Sequence, residues 1–179
     1  MVTREVAKRI FAYELLSSIV SYKEDENDRY SPVYVLTATG EKCSRVFIVG
    51  SITSKETVGD GDVRIKINDG TAQIYVYIGS FNSAAITAAS GMNPGDYIAI
   101  VGKPVIYRLS NGDQFVYIKA TDINRVDDDT YRHWLAETAM HTYHRLTSIY
   151  IDSDRAKIAR DLYNVNENEY LALCKNVIR

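Results

Sequence analysis

Val63-Arg64-Ile65-Lys66-Ile67 and Gln73-Ile74-Tyr75-Val76-Tyr77-Ile78 flank the turn Asn68-Asp69-Gly70-Thr71. Apolar and polar side chains alternate on both sides of an Asp-Gly pair. That pattern predicts a β-hairpin, because glycine takes the positive φ of a tight turn without steric cost. Strand residues two apart share a face. Ile65, Ile67, Ile74, Val76 and Ile78 therefore point to a core, and Arg64, Lys66, Gln73, Tyr75 and Tyr77 point away from it. Cations beside aromatic rings on an exposed sheet face suit single-stranded nucleic acid, since rings stack on bases while cations meet phosphates.

Working outward, residues 45–53 read as a preceding strand, with Gly50 marking a bend or close backbone approach. Residues 54–62 contain Gly59-Asp60-Gly61-Asp62 and read as a flexible connection. After the hairpin, the alanine-rich stretch 81–92 predicts a short helix that Asn93-Pro94-Gly95-Asp96 stops. Two further strands, 97–107 and 114–120, are joined by the turn Ser110-Asn111-Gly112-Asp113. The order β-β-β-α-β-β is that of a five-stranded OB-fold barrel, here over residues 45–127. The expected class is mainly β with flanking helices.

The flanks are helical in pattern. Residues 1–44 form an extension whose first part, 3–18, reads as an amphipathic helix capped by Thr3, with Val6, Ile10, Phe11, Leu15 and Leu16 at helical spacing. A polar loop over 23–32 and a β-prone run at 33–37 follow. Asp127-Asp128-Asp129-Thr130 opens a long helix to about Tyr150, because acidic side chains satisfy free N–H groups at a helix start. Its apolar positions cover about half the wheel, wider than the ~100° stripe one core needs. It can pack on the barrel and still offer a strip to a partner; the competing reading folds it wholly back on its own barrel under the tail. That tail, 152–179, holds two short helical candidates split at Asn164-Val165-Asn166. The first is expected to bury Ile158, Ala159 and Leu162, and the second offers Tyr170, Leu171, Leu173 and Val177.

The chain carries a net charge of −2 with 14 tyrosines among its 179 residues. No global basic field exists to coat nucleic acid by charge alone, although a local groove remains open. Tyrosine suits half-buried surfaces, because the ring packs while the hydroxyl stays wet. Cys43 and Cys174 lie far apart without metal-type spacing, no secretory signal opens the chain, and no segment approaches a membrane span. A cytoplasmic protein with reduced thiols and no membrane association is expected.

Chemistry-bearing motifs are sparse. His133, Glu137, His141 and His144 fall on one helical face and have the residue types of a zinc site, against the plainer reading of a solvated face. Asp69 reads as a turn residue rather than a catalytic acid. No phosphate loop or nucleophile elbow is present, so neither an enzyme nor a cofactor is expected. An OB-fold binds oligonucleotides across its second and third strands, flanked by two loops. Those elements offer Lys55, Arg64, Lys66, Tyr75, Tyr77, Lys103, Tyr107, Arg108, Phe115, Tyr117 and Lys119. The alternative for Tyr107, Phe115 and Tyr117 is cross-strand pairing within the sheet.

The run Arg45-Val46-Phe47-Ile48-Val49-Gly50 through Asn68-Asp69-Gly70-Thr71, with Gly95-Asp96-Tyr97-Ile98-Ala99-Ile100-Val101-Gly102-Lys103-Pro104, resembles the archaeal proteins associated with replication protein A. These are OB-fold proteins similar to the middle subunit of the eukaryotic complex. The opening Thr3-Arg4-Glu5-Val6-Ala7-Lys8-Arg9-Ile10-Phe11 and the helix after Asp129 fit the same pattern, so the resemblance spans about residues 3–150. It implies an accessory factor in DNA replication, repair or recombination, with single-stranded DNA and other replication protein A subunits as partners. It also implies that the helix over 128–151 joins subunits, or a second copy in isolation, through Trp134, Leu135, Tyr143, Leu146 and Ile149. The alternative is a protein-interaction subunit with no nucleic-acid binding of its own.

Overall fold

The computed structural model describes residues 5–148 and 154–178. In the N-terminal segment the buried residues Ile10, Phe11 and Ala12 are consecutive, a spacing no single helical stripe produces, and the chain divides there. β1 (Lys8–Arg9) runs parallel to the first barrel strand, and α1 (Ala12–Leu16) has only 5 residues. The helix expected over 3–18 is corrected accordingly. Ile10, Phe11 and Leu15 do reach the core, but Val6 is 81% exposed. Thr3 lies outside the described residues, and the carboxylate of Asp69 serves the helix start instead, accepting the Ala12 N–H at 2.6 Å.

β2 (Val20–Lys23), β3 (Val33–Leu36) and β4 (Lys42–Cys43) form a small antiparallel sheet beside the barrel. The barrel itself comprises β5 (Val46–Val58), β6 (Asp62–Asn68), β7 (Gln73–Ile78), β8 (Tyr97–Arg108) and β9 (Gln114–Val126). Neighbours run β5-β6-β7-β9-β8, and β5 pairs back with β8 to close the ring. This is the OB-fold. Its central hairpin has the expected register, with Val63 opposite Ile78 and Ile67 opposite Ile74, and Gly70 takes φ 92°. The helix α2 (Ser83–Ser90) lies between β7 and β8 and buries Ala85 and Ala89.

Two departures in the barrel share one cause. Residues 54–58, expected in a flexible connection, extend β5, because β6 supplies a pairing partner as far as Val58 opposite Asp62. A bulge between Ile52 and Ser54 sits inside that pairing and shifts the phase of everything after it. Gly50 marks a close approach as expected: a Cβ there would stand 2.7 Å from the Asn68 carbonyl oxygen.

α3 (Asp128–Ser148) lies against the barrel, and α4 (Asp154–Tyr163) and α5 (Glu167–Val177) follow, with α5 packed along α3. Here the expected subunit seam is corrected. Trp134, Leu135 and Leu146 are buried within their own chain. The Trp134 indole donates to the Phe47 carbonyl at 3.1 Å and meets Phe11 edge-on at 5.6 Å. Leu146 packs with Ala38 and Tyr170. Of the expected seam only Tyr143 is exposed, and Ile149 lies outside the described residues. The reason is that α5 covers the width that the barrel leaves open. Within α4, Ala156 and Ala159 are buried while Ile158 and Leu162 are about half exposed, so the expected burial of those two side chains is corrected as well.

Candidate nucleic-acid interface

The outer face of the barrel is assembled by strand register. β6 and β7 place Arg64 opposite Tyr77 and Lys66 opposite Tyr75. β9 runs parallel to β7 and sets Tyr117 beside Tyr75 and Lys119 beside Tyr77. β8 adds Lys103 opposite Lys119 and Tyr107 opposite Phe115. All of these project away from Ile65, Val76, Val116 and Ile118, which fill the barrel.

Four rings form a connected cluster on this face. Tyr75 and Phe115 lie 5.7 Å apart, Tyr77 and Tyr117 5.0 Å, and Phe115 and Tyr117 5.7 Å. Arg64 and Lys66 both sit over the Tyr75 ring, at 5.3 and 5.2 Å. The rings thus pair across strands and are half-buried by one another, while their outer edges and faces stay toward solvent. Burial raises the Tyr117 hydroxyl above its usual pKa, with Tyr77 and Tyr107 nearby adding to the effect. It remains a neutral hydrogen-bonding group at ordinary pH.

The bulge in β5 decides the charge of the face. Before it, Phe47 and Ser51 lie outside and Ile48 and Ile52 inside; after it, Ser54 and Glu56 lie outside. Lys55 is turned to the barrel bottom, where its Nζ donates to the carbonyl oxygens of Ala89 at 2.9 Å and Ser90 at 3.2 Å at the end of α2. A carboxylate comes to the outer face in its place. Arg64 donates to Glu56 Oε1 through Nε at 2.9 Å and Nη2 at 2.7 Å, and to the Tyr77 hydroxyl at 3.4 Å. The hydrogen bonds to Tyr77 and Glu56 push the guanidinium pKa up, so it stays charged throughout. A phosphate approaching Arg64 competes with the Glu56 carboxylate for it.

Arg108 is likewise directed elsewhere, donating to the Ile19 carbonyl at 2.7 Å, and Gln114 donates to the Ser18 carbonyl at 3.0 Å. Together they tie the β8–β9 hairpin to the N-terminal extension. The structure therefore gathers Arg64, Lys66, Tyr75, Tyr77, Lys103, Tyr107, Phe115, Tyr117 and Lys119 on one face, and takes Lys55 and Arg108 out of it. Sequence reasoning missed Phe81. Its ring is 80% exposed at the β7–α2 junction, with Lys119 Nζ 5.3 Å from its centroid. An aromatic residue between Gly79-Ser80 and the helix cap Asn82 was the available signal.

On α3, His133 approaches Glu137 at 3.4 Å, and Glu137 also holds Arg9 at 2.6 Å. No group of three or more His, Cys, Asp and Glu is placed to hold a metal ion among the described residues.

Comparison with known protein families finds no match, and neither does comparison with curated proteins. Solved structures do match. A chain of the S. pombe Stn1–Ten1 complex superposes with a TM-score of 0.62 at 14% identity, covering 88% of this chain and 98% of that one. A chain of a replication protein A heterotrimer bound to single-stranded DNA gives a TM-score of 0.54 at 14% identity, covering 79% and 98%. The likeness is one of fold. It extends well beyond the barrel, since residues 45–127 alone make up less than half of the chain.

Proposed function

We propose that this protein binds single-stranded DNA across β6, β7 and β9 as an accessory subunit of a replication protein A-type assembly. This is the role of the archaeal proteins its sequence resembles, in replication, repair or recombination. The observation that carries the reading is the four-ring cluster Tyr75, Tyr77, Phe115 and Tyr117 bordered by Arg64, Lys66, Lys103 and Lys119. Rings stack on bases of any sequence, and cations beside them neutralise the backbone. The replication protein A and Stn1–Ten1 likenesses support it, because both are assemblies of more than one chain and the replication protein A heterotrimer is bound to single-stranded DNA. No helix among the described residues is long and apolar enough to cross a membrane.

Binding should be modest and salt-dependent, with log K falling by about 0.7 per decade of salt for each phosphate neutralised. Tyr75→Ala/Tyr77→Ala should weaken the binding of labelled oligo-dT by about 1–3 kcal/mol per lost stack, measured by fluorescence anisotropy. Thermal melting of the same variant separates stacking from packing. A folded double variant with unchanged affinity refutes this face.

A second reading concerns assembly. Ala136, Met140 and Tyr143 recur at helical spacing on the solvent side of α3, with Met140 58% and Tyr143 51% exposed. This strip, rather than the buried Trp134 and Leu146, is the part of α3 open to a partner subunit. Met140→Glu/Tyr143→Glu should abolish association with a replication protein A subunit, or with a second copy, in sedimentation velocity. Melting temperature and oligo-dT affinity should stay unchanged. Association equal to that of the unsubstituted protein excludes the strip.

A further inference from the structure

We propose that Phe81 and Lys119 form an additional base-and-phosphate subsite that prolongs the single-strand track past the sheet, onto the junction between β7 and α2. The proposal rests on the reading of the β6–β7–β9 face as a single-strand interface.

Three observations converge on it. First, Phe81 is a large apolar ring left 80% exposed, where burial within the chain would be the ordinary outcome. Second, the ring has a defined seat. Gly79 beneath it is buried, and a Cβ there would stand 2.4 Å from Phe81 Cε1 and 3.0 Å from both Cδ1 and Cζ. Only a residue without a side chain lets the ring lie so close to the main chain. The junction is tied down on both sides of the ring: Asn82 N–H donates to the Gly79 carbonyl at 2.9 Å, and Asn82 Nδ2 donates to the Thr121 carbonyl of β9 at 3.0 Å. Third, the ring is continuous with the cluster already described. Lys119 stands beside Tyr77 in the β7–β9 register and carries its Nζ to 5.3 Å from the Phe81 centroid.

Along β9 the outward positions Phe115, Tyr117 and Lys119 step by about 7 Å, two residues of strand. The order ring, ring, cation, ring is thus laid out in one direction. A strand whose bases stack on the Tyr77–Tyr117 end would bring its next phosphate to Lys119 and its following base to Phe81. A cation over the ring suits this ligand better than an apolar protein surface, which would have to desolvate the lysine.

The test uses the full chain and oligo-dT of two lengths, about 6 and about 15 nucleotides, within the range of site sizes seen for single OB-folds. Phe81→Ala removes only an exposed ring and should leave the melting temperature unchanged. It should weaken the longer oligonucleotide about five-fold or more and the shorter one much less, so the length advantage shrinks. Phe81→Trp should restore affinity for the longer oligonucleotide, and the introduced indole should be quenched by it, whereas the buried indole of Trp134 should not. If the unsubstituted protein binds and Phe81→Ala matches it at both lengths, the subsite is refuted while the sheet face stands. If the unsubstituted protein binds neither oligonucleotide, the interface reading falls and the subsite falls with it.

Discussion

Arg145→Ala should lower the unfolding free energy by about 3–5 kcal/mol, the range measured when one partner of a buried ion pair is removed. Glu14 on α1 is fully buried, and Arg145 on α3 has a side chain only 11% exposed. Arg145 Nη2 donates to Glu14 Oε2 at 2.8 Å and to the Thr142 hydroxyl at 3.0 Å, while its Nε donates to the Thr39 hydroxyl at 2.7 Å. Thr39 in turn donates to the other carboxylate oxygen of Glu14 at 2.5 Å. Truncating the arginine leaves a charged group without water or counter-ion, which is far more costly than the pair itself is stabilising. The double substitution Glu14→Gln/Arg145→Met should recover most of the loss, because no charge is then left behind. Urea unfolding of the unsubstituted protein, Glu14→Gln, Arg145→Met and the double variant forms a double-mutant cycle that measures the coupling. A loss below about 1 kcal/mol for Arg145→Ala, the level of an exposed pair, would show that water reaches the site.

Trp134→Ala should cost a similar amount, about 3–5 kcal/mol, as expected for removing a buried tryptophan. The indole is 2% exposed, contacts Phe11 edge-on and donates its N–H to β5. Its loss opens a cavity where α3, α1 and the barrel meet. This residue also separates two uses of the helix. As an interface residue, Trp134 would matter to partner binding and little to the lone chain; as a core residue, it should change the melting temperature and leave an oligo-dT complex intact at temperatures where the variant is folded. Because the chain has a single tryptophan, its emission should be blue-shifted in the native protein and move to the red through the same transition as the far-ultraviolet signal. A solvent-like emission maximum in the native state would contradict the docking of α3.

The two buried contacts and the exposed face respond to different kinds of sequence information. The hairpin around Asp69-Gly70 was readable because turn chemistry and alternation act over a few residues. The same side chain then took a second role that no local pattern announces: besides the Thr71 and Ala72 N–H groups of its own turn, Asp69 receives Ala12 across the fold. Helical spacing can be counted in any run of mixed residues, so the spacing alone extends the N-terminal helix beyond α1. Val6 satisfies the count and is exposed, whereas β5 captures Lys8 through backbone pairing.

The sequence by itself determined the order of strands, the hairpin register, the position of α2 and the side of the barrel on which the tyrosines stand. These follow from period, glycine and turn residues, all local properties of the chain. Two matters depended on long-range contacts. The bulge in β5 arises only in pairing with β6, and it exchanges Lys55 for Glu56 on the outer face. The apolar width of α3 says that something must cover it, but not what. Burial of apolar surface is non-directional, so covering by α5 gains as much per unit area as covering by a second chain, while only the second chain adds the entropy cost of association. Geometry in three dimensions makes that choice, and here α5 is the segment within reach.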